Sequence, residues 1–456
     1  MKTAVIGAGA SGLTVALLLD GEVVVFEGRD EPGGHCRALT KDGFTFDEGP
    51  HIMFSKDTAV LDFMIDSLGG NVHRCRRNNR VCIDGSFVKY PIENDLAALP
   101  DELRNRCLLD FLFNEHAGLA ENPANLDEWF LANFGAGLTD LYFRPYNEKT
   151  WNVALAELSM TWADRIPQPP KEDVVKGALG VSTEGYLHQL HYHYPLTGGY
   201  QAITSAWAAL LEPGVLRLSS PVRALQPGTD GVEVVTDYGR ERFDRVVCTA
   251  PMPVLLEMMP EVPEAVRRAV RSLLFNPMAA VTLGFRGTDP HGFTAVYFPD
   301  PAFLVNRVSA PCIFSPHNGP EGHYSIQAEI TDRAGGPSLA RSDEELVAHV
   351  RDGLVRYGMV DASHPMVMSH VDRLEYAYVA YSVGYERHIE EVRRWAAGHG
   401  VHIHGRFGAF EYLNVDGCVQ RSLEMATTLN GRTTLLDEIA LGTAAAGRPA
   451  QAGGRA

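Results

Sequence analysis

Close to its start the chain carries a short, largely apolar run, Thr3-Ala-Val-Ile6. A run this short and continuous reads as a strand buried on both faces. Residues 13–19 carry a longer apolar stretch that predicts a helix, and residues 22–26 repeat the strand pattern. From about residue 94 to Tyr186 the spacing is mostly helical, with apolar groups at 108–113 and 129–134. A glycine turn at 194–200 opens another helix through Leu210. Strand patterns return at 214–218, 222–225, 232–236 and 246–249. Residues 276–285 through 325–331 are strand-rich and predict a separate antiparallel sheet. Residues 344–357 have amphipathic helical spacing, and 402–405 predict a last strand before a helix near 422–430.

These elements predict an α/β fold: a discontinuous Rossmann-type domain in three pieces, 1–93, 194–275 and 385–442. A helical insertion at 94–193 and an antiparallel-sheet substrate domain at 276–384 separate them. Residues 443–456, rich in alanine, glycine and arginine, predict a disordered tail.

Between the first strand and helix stands Gly7-Ala-Gly9-Ala10-Ser11-Gly12. Gly7 suits a tight turn, Gly9 a close backbone approach to a pyrophosphate, and Gly12 close helix–strand packing. The helix start then offers free N–H groups to phosphate. Glu27 ends the second strand, about twenty positions on, where a carboxylate accepts from an adenosine ribose. The segment that follows, with Gly33-Gly34-His35, resembles the extension of FAD proteins of the glutathione-reductase and amine-oxidase group. The predicted cofactor is therefore FAD rather than NAD.

The formal net charge of −17 argues against a nucleic-acid partner, which needs a basic field, so an anionic substrate must be held by arginines focused in a cleft. The one basic run, 74–80, reads as a solvated turn. Seven cysteines without metal-ligand spacing predict neither a disulfide framework nor a metal site, but reduced thiols in the cytoplasm. No run reaches membrane-spanning length, and a strand starting at Lys2 leads to the expectation of no cleaved leader.

Four further motifs occur in one order: Gly49-Pro50-His51-Ile-Met-Phe54, Phe143-Arg-Pro-Tyr146-Asn147-Glu-Lys-Thr-Trp151, Tyr194-Pro-Leu-Thr-Gly-Gly-Tyr200, and Gly405-Arg406 through Tyr412-Leu-Asn414-Val-Asp416-Gly417. Together they resemble the UDP-galactopyranose mutases, within the wider amine-oxidase and protoporphyrinogen-oxidase-like FAD group. The resemblance implies interconversion of the pyranose and furanose forms of a nucleotide sugar through a reduced-flavin N5–sugar adduct. It assigns Gly49, Pro50, Val222, Gly405, Arg406, Tyr412, Asn414, Asp416 and Gly417 to FAD, and His51, by its backbone, to the flavin N5. To the substrate it assigns Phe54, Tyr146, Asn147, Trp151, Tyr200, Tyr378, Tyr412 and Asn414. Arg307 and Arg165 are assigned as the diphosphate arginines, a task that suits their planar forks.

Bland alternatives stand beside these: Trp151 as a core residue, Arg165 as a surface ion-pair arginine. Three departures are visible. Phe314 falls where a family tyrosine is expected. Glu93, after Tyr90-Pro91, stands where some members have glutamine near the base, and favours a donor edge such as guanine's. Pro169 replaces a second arginine. NAD(P)H is the candidate external reductant, and the oligomeric state stays open, a homodimer included. The rival reading is an FAD-dependent oxidase or desaturase of the amine-oxidase or protoporphyrinogen-oxidase type; a third is a silent flavoprotein acting as a binding module.

Overall fold

The computed structural model describes residues 1–166, 168–183 and 190–439; Tyr186 and the predicted tail lie outside the described residues. Apolar runs from both ends of the chain meet in one five-stranded parallel sheet. Its order is Val401–Ile403, Arg245–Cys248, Lys2–Ile6, Glu22–Phe26 and Leu216–Arg217. The helix Ala10–Leu18 follows the central strand and buries every residue but Leu17. It has no polar face because the terminal helix Val415–Asn430 packs over it. A buried hydrogen bond from Thr14 to Ser422, 2.8 Å, ties the two together. This contact joins the first and last pieces of the discontinuous domain.

A three-stranded meander, Val222–Gly228, Gly231–Thr236 and Gly239–Phe243, stands beside the sheet. Its third strand is not predicted, since four of its five residues are glycine or charged and only Phe243 points into the core.

The substrate-side sheet has seven strands, ordered Met366–Ala380, Leu274–Arg286, His323–Thr331, Arg307–Ser309, Ala295–Tyr297, Asn79–Ile83 and Ser86–Lys89. It is antiparallel except where Ala295–Tyr297 meets Asn79–Ile83. Its last two strands come from residues placed by sequence in the first nucleotide-binding piece. The expectation of a solvated turn at 74–80 is corrected here. That segment divides between His73–Arg76, paired with His191–Tyr194, and the strand starting at Asn79. Arg74 and Arg76 are exposed while Cys75 between them is buried, so the charges mark the outer face of a strand.

The helical insertion carries a deliberate break. Helix Leu126–Leu138 contains Gly135 at φ +73°, and a Cβ there would lie 2.3 Å from the Asp110 carbonyl oxygen. Only glycine permits that approach to helix Asp101–Leu112. A π-helical turn, Thr139–Phe143, follows and redirects the chain into helix Arg144–Trp151. The break thus aims the helix that carries Tyr146 and Trp151 at the substrate-side sheet.

Candidate active site

Two glycines of the N-terminal motif, Gly7 and Gly12, leave no room for a Cβ, whereas Gly9 meets only ordinary contacts. A Cβ on Gly12 would stand 1.9 Å from the Gly7 carbonyl oxygen, and one on Gly405 would stand 2.9 Å from Ser11 Oγ. No side chain caps the helix at Gly9, which leaves its first N–H groups for a ligand. Glu27 accepts the Ala8 N–H at 2.8 Å and the Arg29 N–H at 2.9 Å, and Ser220 N–H bonds the Glu27 carbonyl. Glu27 therefore stands between the glycine loop and the start of the strand carrying Val222. Gly33 donates to the Ala8 carbonyl, and Gly34 comes so near that its Cβ would lie 3.0 Å from Gly9 Cα. His35 packs edge-on to Phe407, and burial lowers its pKa to about 4. Loops 7–12, 33–35 and 405–408 thus form one cradle of bare backbone, which fits a dinucleotide pyrophosphate.

The His51 loop is anchored from below by Asp47. This buried carboxylate accepts the Tyr194 hydroxyl at 3.0 Å and the Tyr200 N–H at 2.8 Å. Burial raises its pKa to about 7. The His51 ring lies 5.1 Å from the Tyr200 ring, and burial lowers its pKa to about 3, so the imidazole is neutral at physiological pH. Asp47 holds its proton more tightly in the native than in the unfolded chain. Its contribution to stability is therefore full below roughly pH 4 and lost as the pH rises to about 7. In denaturant melts of both proteins, Asp47→Asn should gain on the wild type across that window; a constant gap would contradict the assignment.

On the substrate side, strand register does the positioning. Tyr297, Arg307 and Glu329 sit directly opposite one another on three adjacent strands. Arg307 donates to Glu329 through Nε at 2.6 Å and Nη2 at 2.5 Å, and Glu329 is 0% exposed. The Tyr378 hydroxyl donates to the other Glu329 oxygen at 2.6 Å. Burial opposes the Arg307 charge, but Glu329 and the phenols around it outweigh burial and raise its pKa. Burial and then Glu329 raise that of Tyr378.

Tyr378 and Tyr412 stack with ring centres 5.9 Å apart, and Trp151 stands edge-on to both at 5.7 Å. Trp162 closes the box, 4.2 Å from Trp151 and 4.8 Å from Tyr412. Arg406 lies 4.2 Å over the Tyr412 ring and Arg165 lies 4.9 Å from it. Arg165 also donates to the Tyr412 carbonyl. Three guanidinium groups therefore converge on two tyrosines.

The structure brings together Arg307, Arg165, Arg406, Trp151, Tyr378 and Tyr412. Tyr146 stands next to them, within reach of the Arg307 and Glu329 charges. Asn147 is occupied in holding Trp151, whose indole N–H it accepts at 3.0 Å. Asn414 is exposed at the start of the terminal helix and does not cap it. Asp416, in that helix's first turn, has its pKa raised by burial, and Gly417 packs on Leu413. Tyr200, at the start of helix Gln201–Ala209, packs on the His51 loop instead. Phe54 is not in the cluster; with Leu61, Ile65, Arg74 and His193 it lines a separate open cavity of about 410 Å³.

Phe314 corrects an expectation. It packs on Tyr192 and Tyr194 in the nucleotide-side core, so it does not vacate a hydroxyl position beside Arg307. Pro169 stands just ahead of helix Lys171–Ala178. Glu329, Tyr297 and Trp162 were not identified as site residues from sequence. Glu329 alone carried a signal, a carboxylate inside an otherwise buried strand.

Comparison with known proteins bears on this geometry. The profile of the flavin containing amine oxidoreductase family matches residues 10–429. Mitochondrial protoporphyrinogen oxidase of Nicotiana tabacum is 26% identical over 320 residues, covering 57% of this chain and 62% of that enzyme. The 4,4'-diapophytoene desaturase of Staphylococcus aureus strain Newman is 48% identical over 60 residues, 12% of either chain. The fold superposes on crystalline reduced UDP-galactopyranose mutase with a TM-score of 0.88, at 24% identity, covering 96% of this chain and 97% of that one. Among the described residues no helix is long and apolar enough to cross a membrane.

Proposed function

The chain belongs to the flavin containing amine oxidoreductase family, and from that premise we propose that it interconverts the pyranose and furanose forms of a nucleotide sugar. The observation that carries this reading is the convergence of Arg307, Arg406 and Arg165 on Tyr378 and Tyr412. Three guanidinium groups around one aromatic box, in a chain of net charge −17, suit a substrate with a concentrated anionic centre. A neutral or cationic substrate would meet repulsion or gain nothing there. The superposition on a UDP-galactopyranose mutase supports the same reading at the level of fold.

FAD would be held by the backbone at 7–12 and 33–35, by Glu27, Val222 and the loop 405–417, and in its reduced state it supplies a nucleophilic nitrogen. The remaining work falls to side chains. Arg307 and Arg165 bind the diphosphate and stabilise its charge as it leaves and returns, most strongly in a dry site. Trp151, Trp162 and Tyr412 exclude water. The His51 ring is neutral and buried; its loop presents backbone, and Asp47 sets that loop's position. NAD(P)H is proposed as the outside electron source.

The test is anaerobic incubation of the dithionite-reduced protein with nucleotide hexoses, with chromatographic separation of the ring forms. The mutase reading requires reversible conversion that depends on prior reduction and consumes no reductant per turnover. Stoichiometric substrate oxidation would instead install the oxidase reading that the tobacco relative supports.

Arg165 is exposed and, among the described residues, is held by hydrogen bond and ring contact at Tyr412. Arg165→Ala should therefore keep its flavin and lose roughly ten- to a hundredfold in kcat/KM. Steady-state kinetics on flavin-matched samples check this, and loss of FAD would place Arg165 in the cradle instead.

A further inference from the structure

Beyond the Arg307 cluster lies a second group of polar atoms without partners among the described residues. Glu93 is 1% exposed, and among the described residues neither of its carboxylate oxygens has a hydrogen-bond partner. Its neighbour Asn94 is 3% exposed, and both its side-chain nitrogen and oxygen are likewise unpartnered. Buried polar atoms left unmet in this way call for an explanation, and a bound ligand is one that supplies the missing partners. Helix Lys171–Ala178 presses on this point: a Cβ on Gly177 would lie 2.5 Å from the Asn94 carbonyl. That helix therefore covers the turn that carries Glu93 and Asn94.

A chain of aromatic rings leads from this group to the arginines. Tyr90 packs on Tyr297 at 5.0 Å, Tyr297 on Tyr146 at 5.5 Å, and Tyr146 on Tyr142 at 5.4 Å. Tyr297 is the cross-strand neighbour of Arg307, and Glu93 is close enough to Tyr142 to help raise its pKa, after burial and the nearer phenols. Diphosphate site, flat aromatic wall and unpartnered carboxylate thus follow one another in the order phosphate, ribose and base of a nucleotide.

We infer that Glu93 and Asn94 read the nucleobase and that the base is guanine, an inference resting on the nucleotide-sugar reading above. Guanine presents two adjacent donors, N1–H and N2–H, beside the O6 acceptor. The two Glu93 oxygens accept both donors, and the Asn94 carboxamide donates to O6. Uracil offers a single N–H flanked by two carbonyls, so a carboxylate facing it meets a lone pair. Cytosine and adenine each set one amino donor beside a ring acceptor. Burial holds the Glu93 pKa at about 8 in the free protein; two N–H donors favour the ionised form, so the base itself settles the charge.

The test is calorimetric titration of the FAD-loaded protein with GDP, UDP, CDP and ADP. GDP is expected to bind at least about tenfold more tightly than the other three. Glu93→Gln should lower GDP affinity by a similar factor and narrow or reverse the gap to UDP, with flavin content and melting temperature kept as controls. A merely structural Glu93 would shift all four nucleotides alike, which would overturn the inference. Equal or tighter wild-type binding of UDP, CDP or ADP would overturn it too, while leaving the nucleotide-sugar reading intact. Binding of none of the four would overturn both. If Glu93→Gln does not fold, the wild-type ranking alone decides.

Discussion

Arg307→Ala is expected to stay yellow and lose turnover by about 10²- to 10³-fold, the range found when one preorganised donor to a developing charge is removed. Two consequences separate this residue from an ordinary ion-pair arginine. First, its partner Glu329 is fully buried and would keep only the Tyr378 hydroxyl, so the variant should also melt earlier, by about 3–5 kcal/mol of stability. Second, Arg307→Lys keeps the charge and much of the stability but loses the fork that meets Glu329 through two nitrogens. The lysine variant should therefore be nearly as stable as the wild type yet well below it in turnover. Activity within twofold of wild type in the alanine variant would remove Arg307 from the site. Parallel losses of stability and activity in both variants would make it structural.

How visible this site was in the sequence depends on whether local chemistry or long-range register creates each part. The nucleotide cradle was legible because its logic is local. A short apolar strand, glycines at fixed spacing, a helix and then Glu27 each constrain the next within thirty residues. Even Gly33 and Gly34 could be read from their pairing, though not their docking on Ala8 and Gly9. Arg307, Tyr378 and Tyr412 were assigned to the substrate from the family resemblance. What holds them was not, because the opposition of Tyr297, Arg307 and Glu329 is a property of three strands in register, and a one-residue slip would destroy it. The same blindness misread residues 74–80, whose arginines looked like a solvated turn until their pairing with His191–Tyr194 gave them an outer face. It also hid that Phe314, which falls where a family tyrosine is expected, packs on Tyr192 and Tyr194, since sequence order alone says nothing about which core a ring enters.

Gly9→Ala and Gly12→Ala should both abolish FAD binding, and for different reasons that experiment can separate. A methyl on Gly12 would stand 1.9 Å from the Gly7 carbonyl oxygen, a backbone atom that cannot rotate aside, and 3.5 Å from Val5. The helix must move off the central strand, which costs at least about the 1–3 kcal/mol typical of overpacking and displaces the N–H groups facing the phosphates. Gly12→Ala should thus be colourless and unstable even as apoprotein. A methyl on Gly9 meets nothing closer than Gly34 Cα at 3.6 Å, an ordinary contact. The apoprotein should tolerate it, so any loss of FAD must come from contact with the cofactor itself. The flavin-to-protein absorbance ratio and the melting temperature of flavin-free samples decide the matter. Gly118→Ala, with no atom within 4 Å of the added methyl, serves as the control and should match wild type in both. If Gly9→Ala binds FAD normally, the pyrophosphate does not pass over that residue, and the cradle must be drawn from the 33–35 and 405–408 loops instead. If it is colourless yet as stable as flavin-free wild type, the bare backbone at Gly9 exists for the cofactor and for nothing else in the fold.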